Sequence, residues 1–240
     1  MGISPAVLRF GGVAAVVLGW FLAAPHLPGL SLWPAVLLVS FVIMPVTLLL
    51  VPLALPLRTK RWLWVASAAL ALAAFAFSEL GWGLPNNFAK LFAAVFAGWA
   101  FLRLFEELSW VVLIAVVIPF VDAISVWRGP THTITTHHFH VYLDFAIAFL
   151  VPGGSAAYFG PPDILFYALF LAAAARWGLR VWWTWIGMTF MYAMTIVIAT
   201  AADVGGLPAL PFVSFGFVVA NGDLLWKRLR RPSASSSPAR

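Results

Sequence analysis

The sequence predicts an all-α, polytopic membrane protein with about eight transmembrane helices. Of its 240 residues, 63% are hydrophobic and 9% are charged, whereas a soluble domain has roughly 25% charged residues. The mean hydropathy is +1.00, and apolar runs of about 20 residues, enough to cross a bilayer as a helix, recur along the chain. Cysteine is absent, which excludes disulfides, thiolate catalysis and cysteine-ligated metals.

The apolar runs are separated by short breaks that contain proline, glycine or charged residues. The fourth run is the weakest, because Lys90 and Arg103 bracket a short apolar stretch. The predicted spans are residues 6–24, 32–55, 62–80, 87–104, 108–127, 159–177, 180–201 and 206–226.

One long break, residues 128–158, interrupts this series. It begins as a polar stretch rich in histidine and threonine and continues as an apolar piece, 141–151, that ends at Pro152. Eleven residues are too few to span a bilayer as a helix. We therefore expect an interfacial segment or a short β segment near 144–151.

The basic residues are distributed unevenly between the two sides of the predicted bundle. With eight spans, twelve of the fourteen Lys and Arg residues fall on the side of the N-terminus, and only Lys90 and Arg128 fall on the other. Because basic residues accumulate in cytoplasmic loops, both termini are predicted to be cytoplasmic. If 141–151 also spanned, the C-terminal basic cluster would change sides and the bias would be lost.

These patterns divide the chain into three predicted regions. Residues 1–104 form an N-terminal membrane region of four helices, and residues 105–226 form a second membrane region. Residues 227–240 are basic at first and then rich in serine and proline, which is typical of a disordered tail. The net charge of +6 is explained by topology, so no nucleic-acid partner is expected.

Two aspartates, Asp122 and Asp163, lie within apolar runs. An acid in such a run costs about 2.5–3.5 kcal/mol on insertion scales and is a candidate functional residue. In the predicted orientation both lie in the outer half of the membrane. The last span also enters from outside, where Pro208 and Pro211 interrupt regular hydrogen bonding, and irregular backbone at membrane depth needs protein or a water-filled cavity beside it. The two aspartates and the interrupted start of the last span are therefore predicted to lie at a similar depth in the membrane.

Two neighbouring carboxyl groups are suited to the hydrolysis of an amide. Because two close negative charges repel, such a pair holds one proton between its members. The ionised member can take a proton from water, while the protonated member binds the carbonyl oxygen and later protonates the amine. The alternative is a structural role, in which Asp163, after two prolines, caps its own helix.

The same residues resemble the motifs of the presenilin and signal peptide peptidase family. Val121-Asp122 resembles the family's Tyr-Asp motif, and the segment Gly160-Pro-Pro-Asp163 resembles its Gly-x-Gly-Asp motif. Pro208-Ala-Leu210 matches its Pro-Ala-Leu motif, with one span between it and the second aspartate. The segment 145–152 resembles the strand that precedes the second aspartate in that family. The resemblance covers roughly residues 105–226.

The resemblance implies a divergent intramembrane aspartyl protease with Asp122 and Asp163 as its catalytic pair. Gly160, Pro208, Ala209 and Leu210 would then form the substrate-binding face. The implied substrates are transmembrane helices or remnant signal peptides, unwound into a strand that adds to a β-strand near the active site. The implied partners are these substrates and the lipid bilayer, and no cofactor is implied.

Two other functions are compatible with the sequence. Pro161 and Pro162, where the family has a glycine before the aspartate, suggest a non-catalytic homologue that binds membrane helices. Acids in the membrane would also serve a proton-coupled transporter, although no inverted repeat is evident. His132, His137, His138 and His140 lack the spacing of a strong metal motif, so no metal site is expected.

Overall fold

The computed structural model describes residues 4–128, 139–204 and 206–230, and these parts are mostly helical with one small β-sheet. The prediction of a helical fold with a short β segment is confirmed. The elements in chain order are α1 (Pro5–Ala23), α2 (Leu32–Thr59), α3 (Leu63–Glu79), α4 (Gly83–Leu102), α5 (Leu108–Arg128), α6 (Phe139–Phe145), β1 (Ile147–Leu150), β2 (Ala156–Phe159), α7 (Pro161–Arg176), α8 (Val181–Ala201) and α9 (Leu210–Leu229).

Helix α2 is irregular because it contains prolines. Its segments are α-helical at Leu32–Leu38, Met44–Leu48 and Leu50–Ala54, a π-turn at Val39–Ile43 and a 3₁₀-turn at Leu55–Thr59. Pro45 and Pro52 have no amide N–H, and each ring crowds the carbonyl four residues earlier. The hydrogen-bond ladder therefore shifts to a π-turn just before Pro45.

Four helices of the described chain are long and apolar enough to cross a membrane. They are Pro5–His26, which extends α1 by a 3₁₀-turn, Leu32–Thr59, Leu108–Arg128 and Val181–Ala201. Helices α3 and α7 have 17 and 16 residues, a rise of about 24–26 Å, against a hydrocarbon thickness of about 30 Å. The chain is thus a membrane protein with four candidate spanning helices, and the count of eight spans stays a prediction.

Helix α7 is the centre of the molecule. Its residues 167–174 are all buried, as expected for a helix enclosed by others. Helix α4 packs along it, α8 and α9 pack against each other beside it, and α5 packs against α9. Asp163 lies in the first turn of α7 and Asp122 lies on α5, so this packing sets the relative positions of the two acids.

A β-hairpin precedes α7. Strands β1 and β2 are antiparallel, with Ile147 opposite Phe159 and Leu150 opposite Ala156. Their turn contains Gly153 at φ +87°, a left-handed conformation that favours glycine. The expected β segment near 144–151 is therefore a strand at 147–150, whereas 139–145 is helical and β2 was not predicted.

The C-terminal helix ends three residues later than predicted. Residues 227–229 belong to α9 rather than to the predicted tail. Lys227 and Arg228 lie in its last turn, where positive charge interacts favourably with the helix dipole. Residues 231–240 lie outside the described part of the chain.

Candidate functional site

Asp122 joins two helices that are far apart in sequence. It lies on α5, three residues after the helix-internal Pro119, and it is half-buried. Its Oδ2 accepts a hydrogen bond from the backbone N–H of Leu210 at 3.0 Å. The backbone of Ala209 also interacts with this carboxyl group. The first aspartate and the Pro-Ala-Leu segment are therefore in direct contact.

The start of α9 makes this contact possible. Leu210 is the first residue of the helix, and the first N–H groups of a helix have no partner within it. An acidic group there satisfies a free donor and interacts favourably with the helix dipole. The helix begins four residues later than the predicted span at 206, because Pro208 lies in a non-helical stretch.

The Pro-Ala-Leu segment meets Asp122 through its backbone. The side chains of Pro208, Ala209 and Leu210 are buried, with Ala209 and Leu210 only 4% and 2% exposed. They anchor the start of α9 in the core, and this fixes the N–H that binds Asp122.

Asp163 caps the start of α7. It is the third residue of the helix, after Pro161 and Pro162, and its Oδ2 accepts a hydrogen bond from the N–H of Gly160 at 3.1 Å. The two prolines fit because the first turn of a helix needs no N–H from them. Gly160 has φ −69° and ψ 150°, which any residue adopts. Asp163 therefore has the helix-capping role that was the structural alternative in the sequence analysis.

The two aspartates are brought together by the fold. The carboxyl groups of Asp122 and Asp163 lie close enough to interact electrostatically. Both are half-buried, and the described hydrogen bonds engage the same oxygen, Oδ2, in each. The site thus contains two carboxyl groups within electrostatic range of each other, each held by a backbone N–H at a helix start.

Side chains from other helices cover the outer edge of β1. The amide of Asn87 donates to the carbonyl of Ala148 at 2.9 Å and accepts from its N–H at 2.7 Å. Lys90 donates to the carbonyl of Ala146 at 3.4 Å, and the Trp20 indole donates to that of Leu150 at 2.9 Å. This edge is therefore already occupied.

The outer edge of β2 leads toward Asp163. The N–H and C=O of Ala148 both point away from β2, toward Asn87. In an antiparallel pair, the N–H and C=O of the opposite residue, Tyr158, then point away from β1. The carbonyl of Tyr158 accepts a hydrogen bond from the Tyr142 hydroxyl at 3.3 Å. Two residues further, on the same side, the N–H of Gly160 binds Asp163.

Tyr142 remains a neutral donor beside this edge. Burial, reinforced by the nearby Asp163 carboxyl group, raises the pKa of the Tyr142 phenol above its usual value. The phenol is therefore protonated at physiological pH and can donate to the Tyr158 carbonyl.

Sequence reasoning missed two polar residues near the site. Asn87 lies in a span that was considered weak, and its position among apolar residues was a usable signal. Tyr192 lies on α8, and its ring contacts Phe159 at the end of β2, with 4.2 Å between centroids. Nothing in the sequence around Tyr192 distinguishes it from an ordinary core residue.

The histidine-rich segment lies largely outside the described residues. His132, His137 and His138 lie outside the described residues, as does the side chain of His140. Within residues 4–128, 139–204 and 206–230, no group of three or more His, Asp or Glu side chains is arranged to hold a metal ion.

No protein-family model matches the chain, and no curated protein is significantly similar to it.

Proposed function

We propose that this protein is an intramembrane aspartyl endopeptidase that hydrolyses peptide bonds in transmembrane segments or remnant signal peptides. The observation that carries the proposal is the hydrogen bond from Leu210 to Asp122, beside Asp163. It joins residues 88 positions apart, from two of the three motifs singled out in the sequence, and Asp163 supplies the third.

The chemistry follows from the paired carboxyl groups. One member is ionised and takes a proton from the attacking water, while the other is protonated and binds the carbonyl oxygen of the scissile amide. After water adds to the carbonyl carbon, proton transfer to the nitrogen lets the C–N bond break. The backbone donors at Asp122 and Asp163 hold the two carboxyl groups in place during these steps.

The hairpin offers a place for an extended substrate. The β1 edge is covered by side chains, but the β2 edge carries only a 3.3 Å hydrogen bond from Tyr142 among its described contacts. A substrate strand that displaced this bond would pair with Tyr158 and extend toward Asp163. Pairing would also satisfy the substrate's backbone, which a membrane cannot do.

We further propose the topology indicated by the charges, with eight spans and both termini cytoplasmic. Twelve of fourteen basic residues support it. The aspartates then lie in the outer half of the membrane. Single cysteines in this cysteine-free chain, at the exposed positions Arg61 and Trp82, should react with a membrane-impermeant thiol reagent from the cytoplasmic and the outer side respectively. Labelling of both from one side would overturn this topology.

The test is cleavage of a reporter transmembrane peptide by the purified protein in detergent or bilayers. The variants Asp122→Asn and Asp163→Asn keep an oxygen that accepts the backbone hydrogen bond but lose the ionisable group. We expect each to abolish cleavage while thermal unfolding changes little. Asp203→Asn is the matched control, because Asp203 is exposed and its φ of +51° is readily adopted by asparagine. Undiminished cleavage in either active-site variant would remove that aspartate from catalysis.

A second candidate function is binding of membrane helices without cleavage. The observation that favours it is the helix cap that Asp163 forms after Pro161 and Pro162, since a capping role needs no catalysis. In that case the wild-type protein would crosslink to the reporter helix through a photoreactive residue at Tyr158 but release no fragments.

A further inference from the structure

The buried hydroxyl of Tyr192 lacks a hydrogen-bond partner. Tyr192 lies on α8 and is 0% exposed. Within the described part of the chain its hydroxyl oxygen has no partner, as is also the case for Ser40 and Ser214. A buried polar group without a partner is unfavourable, so each one calls for an explanation, such as a catalytic role or a bound water.

Tyr192 packs against the end of the strand that leads to Asp163. Its ring makes an edge-to-face contact with Phe159, the last residue of β2, with 4.2 Å between centroids. Phe159 is followed by Gly160, whose N–H binds the Asp163 carboxyl group at 3.1 Å. The Tyr192 ring is therefore one residue along the chain from the backbone that holds the second aspartate.

A neighbouring tyrosine shows what a satisfied hydroxyl looks like in this core. Tyr167 is also 0% exposed, and its ring stacks near Tyr192 with 6.3 Å between centroids. Its hydroxyl, however, forms a 2.7 Å hydrogen bond with Thr189. The two tyrosines are equally buried, and they differ in that only the Tyr167 hydroxyl forms a hydrogen bond.

We propose that the Tyr192 hydroxyl is a third catalytic group, which donates a hydrogen bond to the carbonyl oxygen of the scissile peptide. This inference rests on the proposed protease function. A phenol is suited to the task because it stays protonated beside two acids and stabilises negative charge on oxygen without giving up its proton. A donor that is idle before substrate binds is also preorganised for the charge that develops in the transition state.

The balance of the step is simple. The water oxygen forms a bond to the carbonyl carbon, and the water proton passes to the ionised aspartate. The carbonyl π electrons move to oxygen, which takes the proton of the second aspartic acid and accepts the hydrogen bond of Tyr192. The first aspartic acid then gives its proton to the amide nitrogen, which leaves with the C–N electrons. One hydroxyl of the tetrahedral intermediate returns its proton to the second aspartate as the product carboxylic acid forms, and the phenol is unchanged at the end.

The experiment compares Tyr192→Phe with Tyr167→Phe in reporter cleavage and thermal unfolding. Tyr192→Phe removes an unpartnered hydroxyl, so we expect an unchanged or higher Tm, a similar KM and a kcat lower by about a hundredfold, as for loss of one oxyanion donor. Tyr167→Phe breaks a buried hydrogen bond, so we expect a lower Tm with a kcat within a few-fold of wild type.

The outcomes separate the two proposals. A wild-type protein that does not cleave overturns the protease function and this inference with it. A wild-type protein that cleaves, with a Tyr192→Phe variant whose kcat is within about threefold of it, overturns the inference alone. A Tyr192→Phe variant that loses Tm as Tyr167→Phe does also contradicts it, because its hydroxyl would then have a structural partner. 3-Fluorotyrosine at position 192, which keeps the donor, should restore kcat.

Discussion

Replacing Gly98 by alanine tests whether the contact between α4 and α7 positions the second aspartate. A β-carbon at Gly98 would meet the main chain of α7 at the carbonyl oxygen of Leu165, at the carbonyl carbon of Leu165 (3.2 Å) and at the amide nitrogen of Leu169 (3.2 Å). These are backbone atoms, so no side chain can rotate out of the way. The two helices must move apart to accept the added methyl group.

The expected cost can be estimated. Forcing an extra carbon into a well-packed contact costs about 1–3 kcal/mol. Alanine is favoured over glycine in a helix by up to about 1 kcal/mol in water, but membrane helices associate as preformed helices, so this gain nearly cancels. A net loss of about 1–3 kcal/mol lowers Tm by roughly 2–12 °C in a chain of this size.

The assay is thermal unfolding in detergent followed by the fluorescence of the thirteen tryptophans. The control is Gly11→Ala, a mid-helix substitution in α1 whose β-carbon meets nothing within 4 Å and should leave Tm unchanged or slightly raised. Cleavage should fall with Gly98→Ala as well, because Asp163 is two residues from Leu165. Equal Tm values for the two variants would refute the reasoning.

Three further predictions concern the surrounding structure. Asn87→Ala leaves the N–H and C=O of Ala148 unpaired, and each unpaired group costs about 1–3 kcal/mol of stability. The β1 amides should therefore exchange with deuterium faster than in the wild type. Unchanged exchange would contradict the role of Asn87. Asn221→Ala removes a fully buried amide that is bonded to Thr184 and to the backbone. It should lower Tm more than Asp223→Asn does, because the latter breaks only an exposed ion pair. A larger loss of Tm in Asp223→Asn would refute this. Gly160→Ala should keep Tm and cleavage near wild type, because its β-carbon would lie 3.5 Å from its nearest neighbours. A large loss of cleavage with an unchanged Tm would instead show that substrate approaches the backbone at this position.

The positions of the long helices were predictable from hydrophobicity alone. A backbone in lipid must satisfy its own hydrogen bonds, so an apolar run of sufficient length becomes a helix. The predicted run 62–80 is α3 at 63–79, and 108–127 is α5 at 108–128. Their ends shifted where prolines intervene, as at Pro208 before α9, because a proline there changes which residue first adopts helical geometry.

The weak fourth span shows where sequence reasoning stopped short. Lys90 makes this predicted span marginal, and Asn87 is its first residue. In the fold, Asn87 bonds to Ala148 of β1 and Lys90 bonds to Ala146 just before that strand, about 60 residues away in the chain. A polar residue in an apolar helix indicates that a partner exists, but it does not identify that partner.

Because hydrophobicity and charge act through local composition, they were sufficient to predict the membrane class, the long helices and the candidate pair Asp122 and Asp163. They left 144–151 as either an interfacial or a β segment, and they predicted neither α6 nor β2. The tertiary structure was needed to show that Asp122 accepts a hydrogen bond from the N–H of Leu210 and that Tyr192 packs against Phe159 at the end of β2. These two contacts depend on distances between elements that are remote in sequence, whereas the cap at Asp163 forms within its own helix start. Helix packing sets those distances, and it depends on particular small residues such as Gly98, whose importance is visible only once the neighbouring helix is in place.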